Sequence, residues 1–171
     1  MVQKTMKIWL TTIGMSTFAV VNTLWAACKQ DNYIPQRVYL VKNDIVESKG
    51  KVKEVLDWMK RILKEYDVDA EFVFIDADEN NFKEFAKKIR EAVRKEKLDD
   101  NEIAIDMTPG RKFMSAFSMY LGLGKDVKYH ADLVYYLHLI DMSYKDYPYM
   151  QIPMHLQKLY EMKKELMENK K

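Results

Sequence analysis

The sequence predicts an α/β fold, a mainly parallel sheet flanked by helices with a C-terminal antiparallel strand or hairpin and a terminal helix. Three observations predict it. Four strand-like runs are each followed by a helical pattern, which is the order that builds a parallel sheet covered on both faces. One run, AEFVFIDAD at 70–78, is continuous enough in apolar residues to be buried on both sides. After Gly124 the rhythm changes to a long strand, a turn and a further short segment, as expected of an antiparallel edge on a mixed sheet.

The elements follow in order. MKIWLTT reads as a strand, and after a glycine-containing turn Ser16 or Thr17 can cap a helix running toward Lys29. RVYLVKN at 37–43 is strand-like. The next segment repeats Val52, Val55, Leu56, Met59, Ile62 and Leu63 at helical spacing, so its apolar stripe needs a sheet to cover. Behind the strand at 70–78, NNFKEFAKKIREAVRKEK places Phe82, Phe85, Ile89 and Val93 down one side, with the charges on a solvated face. EIAIDMTPGRKFMSAFSMYLGLG gives a strand ending at Asp106, a turn at Gly110 and a helix carrying Met114, Phe117, Met119 and Leu121. DLVYYLHLID is a long strand, YKDYP a turn, YMQIP a short returning strand and MHLQKLYEMKKELMENKK a terminal helix. There is no internal repeat or linker, and 171 residues suit one domain over 1–171, with 150–171 as a short strand and helical extension.

Residues 8–28 carry no charge and follow a basic start, MVQKTMK, which imitates an export signal. Thr11, Thr12, Gly14, Ser16, Thr17, Asn22 and Thr23 interrupt the apolar run, and removing it would delete a whole strand and helix from a regular series. A buried strand and buried helix explain the low charge as well as lipid does. With one cysteine, Cys28, no intrachain disulfide or cysteine-built metal site forms, and the three histidines lack zinc spacing; a cytoplasmic location, no cofactor and no metal are expected. A formal charge of +2 gives no case for duplex nucleic acid, whereas a small anion needs only a local patch.

Ligand crevices of open parallel sheets lie beyond the C-terminal strand ends, where connections diverge. Two loops there stand out, TTIGMST after the first strand and DMTPGRK after the fourth, and a strand order 3-2-1-4 would place both on one crevice. Gly14 and Gly110 permit close backbone approach, the hydroxyls of Thr11, Thr12, Ser16, Thr17 and Thr108 can donate to phosphate or ribose, and Arg111 and Lys112 add charge at a helix start whose amides favour anions. Cations at a first turn oppose the helix dipole, a tension that a bound anion resolves. Neither loop is a Walker A or dinucleotide fingerprint. Asp106 is expected to hold its loop rather than act as a base, Asp76 and Asp78 to cap a helix rather than hold metal, and His138 to be packed or at an interface. Tyr144, Tyr147 and Tyr149 are candidate rim contacts, and the aromatic C-terminal stretch suits packing or association.

The pair LTTIGMS and AIDMTPGRKFMSA resembles the CRISPR-associated Rossmann fold, or CARF, superfamily, over roughly residues 7–140. The resemblance implies a Rossmann-like homodimer that binds cyclic oligoadenylate, cyclic tetraadenylate above all, across its twofold axis. It assigns ligand contacts to Thr12, Gly14, Met15, Ser16 and Thr17 of the first loop and to Thr108, Pro109, Gly110, Arg111 and Lys112 of the second. Some members open the ring without metal, by attack of a ribose 2'-hydroxyl on the neighbouring phosphate. Here Ser16 would orient phosphate or ribose, and Lys112 with Arg111 would stabilise the developing charge, ending antiviral signalling. Many members append an effector domain; the segment after the fifth strand is too short for one and lacks the R-x4-6-H signature of HEPN ribonucleases. A noncatalytic sensor or regulator, and a nucleotide enzyme unrelated to CRISPR, are the alternative readings.

Overall fold

The computed structural model describes residues 5–167; the first residues of the basic start, 1–4, and the end of the expected terminal helix, 168–171, lie outside them. Six strands form one sheet in the order β3-β2-β1-β4-β5-β6. The parallel part comprises β1 (Lys7–Thr12), β2 (Arg37–Lys42), β3 (Glu71–Asp76), β4 (Glu102–Asp106) and β5 (Leu133–Leu139), and β6 (Gln157–Glu161) returns antiparallel beside β5. β1 is central: Leu10 pairs with Tyr39 on one side and Ile105 on the other.

Side chains alternate across this sheet and divide the core in two. Trp9, Tyr135 and Leu137 face α1 (Thr17–Asp31) and α3 (Lys51–Lys64), while Ile8, Leu10, Tyr39 and Ile105 face α4 (Phe82–Leu98) and α5 (Lys112–Leu123). α2 (Asp44–Ser48) is one short turn before α3. Helix α1, which carries no charge up to Cys28, is covered on several sides. Phe18 and Trp25 pack on Trp58 of α3, and Asn22 holds the Tyr147 carbonyl and the Tyr149 amide, each at 2.9 Å. Ser16 caps its start, accepting from the Ala19 amide at 3.3 Å, and Asn32 ends it in the left-handed region at φ 52°.

The C-terminal segment differs from expectation in position. YMQIP forms a tight 3-10 turn at Tyr149–Gln151, and the returning strand lies further on, at Gln157–Glu161, inside the stretch that reads as helix. The helix that follows, α6, covers only Met162–Met167 among the described residues. Apolar spacing there fits either state, and the available partner decides: Leu159 registers with Leu137, and Tyr160 stacks on Tyr136 at 6.4 Å. Gln157 fixes the corner by donating to the Tyr149 and Ile152 carbonyls at 3.0 and 3.1 Å.

A candidate anion-binding crevice

The observed order places β1 beside β4, with β1 feeding α1 on one face and β4 feeding α5 on the other. That divergence opens a crevice at their C-terminal ends. The two loops touch: a methyl group at Gly14 would stand 3.6 Å from the Gly110 amide nitrogen. Gly110 has φ +92°, a conformation that side-chain-bearing residues rarely adopt, so the second loop turns where only glycine is comfortable.

The crevice encloses about 500 Å³. Of the expected residues, Thr12, Gly14, Met15, Ser16, Thr108, Pro109, Gly110 and Arg111 line it. Thr11, Thr17 and Lys112 do not. Thr11 is fully buried and donates to Asp106 Oδ2 at 3.0 Å, and Thr17 is buried in the first turn of α1. Lys112 opens α5 as an exposed residue outside the crevice lining, so Ser16 and Lys112 do not meet there; of the expected reacting set only Ser16 and Arg111 do.

Ser16 Oγ accepts from the Ala19 amide, which leaves its hydroxyl proton free to donate into the crevice. The first turns of α1 and α5 carry no acidic residue, and α5 has no side-chain cap. Both helix starts therefore present amide dipoles to an anion. Thr108 is more occupied than its sequence suggests: Oγ1 accepts from the Leu137 amide at 2.9 Å and lies 3.0 Å from Thr23 Oγ1.

Under the crevice, Asp106 accepts from Thr11 and from the Thr108 amide at 2.9 Å, tying β1 to the second loop. Complete burial pushes its carboxyl up to about 7, against the opposing pull of hydrogen bonds from Thr108, Thr11 and Thr23. Its role in the fold is the holding one.

A third wall was not foreseen. Lys42 and Asn43 at the end of β2, and Glu79 after β3, line the same crevice. Arg111 donates to Glu79 Oε1 at 2.5 Å, and this bond holds the Glu79 carboxyl below its usual range. Asn43 caps α2 through Oδ1 and approaches Glu79 with Nδ2 at 3.5 Å. Lys42 is held by Glu47 and Asp76 at 2.7 and 2.5 Å. Asp76 thus serves Lys42, Asp78 accepts from the Asn80 amide, and the cap of α4 is Asn81.

A second cleft, of about 520 Å³, shares Ser16 and Thr108 with the first and is walled by Phe18, Asn22, Tyr136, His138, Tyr144 and Lys145. Here His138 is exposed rather than packed, Tyr144 is a rim residue, and Tyr149 is buried core. The aromatic crowding near the C-terminus was the sequence signal for this cleft. Among the described residues no group of three or more histidine, cysteine, aspartate or glutamate side chains is placed to hold a metal, and no helix is long and apolar enough to cross a membrane.

The family model for the Card1 CARF domain matches residues 5–165. Among solved structures, Enterococcus italicus Csm6 bound to cyclic hexa-2'-fluoro-hexa-dAMP superposes with a TM-score of 0.56 at 18% identity, over 76% of this chain and 32% of that one. A type III CRISPR defence DNA nuclease activated by cyclic oligoadenylate superposes with a TM-score of 0.52 at 19% identity, over 81% of this chain and 19% of that one. At such identities the likeness carries the fold alone, and this chain spans a minor part of both proteins. No curated protein matches the sequence.

Proposed function

Because the chain belongs to the Card1 CARF domain family, we propose that its crevice binds a cyclic oligoadenylate, with cyclic tetraadenylate favoured, across a homodimer. The observation that carries the reading is the convergence of two helix starts, α1 and α5, neither with an acidic residue in its first turn, on a crevice that also holds the free Ser16 hydroxyl proton and Arg111. The two structurally similar proteins support it, one bound to a cyclic hexanucleotide and the other activated by cyclic oligoadenylate. Two clefts of about 500 and 520 Å³ meeting at Ser16 and Thr108 fit one nucleotide each, so a twofold dimer offers four seats. Met15, Ile140 and Met142 are 54%, 56% and 64% exposed at this same end, which supports a covering partner copy.

The fit supports binding more strongly than ring opening. In-line attack by a ribose 2'-hydroxyl needs charge stabilisation at the phosphorane, and Arg111 is engaged by Glu79 while Lys112 lies outside the crevice lining. A role in CRISPR defence follows from the ligand. Incubation of the protein with cyclic tetraadenylate or cyclic hexaadenylate in EDTA, with products separated by chromatography, tests this. Intact ligand eluting with a dimer is the expected result; linear products carrying a 2',3'-cyclic phosphate would make the protein a ring nuclease, and neither binding nor cleavage would overturn the assignment. Ser16→Ala and Arg111→Ala should each weaken binding about tenfold, as loss of one hydrogen bond to a charged group does, and Lys112→Ala should change it little.

A further inference from the structure

A separate groove of about 470 Å³ runs between α4 and the end of α5 with its following loop, and none of its residues lines the crevice. Lys87, Arg90 and Arg94 recur on one face of α4, opposite Tyr120, Lys128 and Tyr129. Lys112 at the start of α5 and Tyr120 near its end are separated by about 12 Å of helix, which places the groove toward the opposite end of the sheet from the crevice.

Its chemistry is cationic and aromatic together. The Arg90 guanidinium lies 5.2 Å from the Phe117 ring and 5.8 Å from Tyr120, rings that themselves stack at 6.1 Å. Lys128 lies 5.3 Å from the Tyr129 ring. Arg90, Arg94 and Lys128 take part in none of the ion pairs among the described residues. The groove's four cations, Lys87, Arg90, Arg94 and Lys128, outnumber its two carboxylates: Glu91, which stands 3.9 Å from Lys87, and Asp126, which accepts from the Tyr120 hydroxyl. The helix dipole accounts for Lys95 and Lys97 in the last turn of α4, where Lys97 also pairs with Asp132, but not for Arg90 in its middle.

We propose that this groove binds single-stranded nucleic acid. Arg90, Arg94 and Lys128 take successive phosphates, and bases stack on Tyr129 and on the outer plane of the Arg90 guanidinium, which its aromatic neighbours hold flat. Three unpaired cations are too few for a duplex interface, whereas stacking platforms beside a short basic track are what single strands use. An acidic peptide would satisfy the charges and leave the ring faces unused.

The test is fluorescence anisotropy of the full chain with a labelled oligouridylate of about twelve nucleotides, between about 50 and about 200 mM salt. Saturable binding is expected, unaffected by excess cyclic tetraadenylate, with a log–log salt slope near −2 for three phosphates. Arg94→Ala with Lys128→Ala should weaken binding about tenfold and reduce the slope to about −0.7. Tyr129→Ala should weaken it at least about fivefold and leave the slope unchanged. Arg94 and Lys128 are exposed and Tyr129 is half-buried against the core, and unchanged melting temperatures would show that the fold is intact. Absence of binding, binding indifferent to both variants, or equal displacement by polyglutamate of matched charge would overturn the proposal.

Discussion

Replacing Asp106 by asparagine should make the protein more stable at neutral pH and should do so in a pH-dependent way. In the folded chain the Asp106 carboxyl is pushed up from 3.8 to about 7 by burial. Between about pH 4 and pH 7 the unfolded chain has released this proton while the folded chain retains it, so folding stability falls as pH rises through that window and the loss is complete above it. Roughly three pH units at 1.36 kcal/mol each give a penalty of about 4 kcal/mol. Asparagine has no proton to lose. It keeps one oxygen for the Thr108 amide, and its NH2 group replaces Oδ2, so the Thr11 hydroxyl must accept instead of donate. The side chains that act on Asp106 are threonines, all neutral, so other titrations cancel when the two proteins are compared. Urea unfolding followed through Trp9, Trp25 and Trp58, in steps from about pH 4.5 to about pH 8.5, reads the difference. The variant should gain on the parent by a few kcal/mol up to about pH 7 and hold that gain above it. A gap that stays constant with pH, or shrinks as pH rises, would refute the account of Asp106 as a carboxyl kept protonated under the crevice.

Two further substitutions probe the crevice itself. Gly110→Ala meets both a positive φ and a Cβ position 2.9 Å from Met114 Sδ, so it should cost about 1–3 kcal/mol in urea unfolding and weaken cyclic tetraadenylate binding in calorimetry, because the turn that brings the second loop to Gly14 must shift. Glu79→Gln removes a carboxylate from the crevice wall and releases Arg111 from its ion pair; calorimetry should show cyclic tetraadenylate binding about threefold to tenfold tighter, and a weaker complex would mean that Glu79 accepts a hydrogen bond from the ligand.

The parallel sheet was legible because strand-like runs alternate with helical patterns and that alternation leaves few topologies; β3, which reads as buried on both faces, is instead an edge strand with Phe74 exposed. From the sequence the strand order is only a condition, the doubly wound 3-2-1-4, and the sheet meets it. What was not legible was the exchange of helix for strand at Gln157–Glu161, where Leu159 and Tyr160 fit either state until β5 supplies their partners. The same limit governs the crevice. TTIGMST and DMTPGRK carry glycines and hydroxyls that mark them locally, but Lys42, Asn43 and Glu79 have no local mark; they enter because β2 flanks β1 and β3 flanks β2. Why Lys112 stays out of the crevice lining is equally invisible in one dimension: Arg111, the cap residue, lines the crevice, and Lys112 is the first helical residue.

Hydropathy misleads most over residues 8–28, and the cause is physical. A helix facing lipid and a helix enclosed by protein both exclude charge, since either surrounding would leave it unsolvated. What separates the two is the fate of the polar residues. In this chain Asn22 spends its amide on the Tyr147 carbonyl and Tyr149 amide, Thr23 meets Thr108, and Thr11 meets Asp106. Each of these bonds joins the first strand or helix to a segment more than eighty residues away. The polar interruptions are therefore the points at which the N-terminal unit is stitched to β4, the loop after it and the C-terminal turn, and two of the three stitches lie under or beside the crevice. A substitution that improved the apolar continuity of the stretch, such as Thr11→Val, would leave Asp106 with one donor fewer and raise its carboxyl further, coupling a change in the core to the charge beneath the anion site.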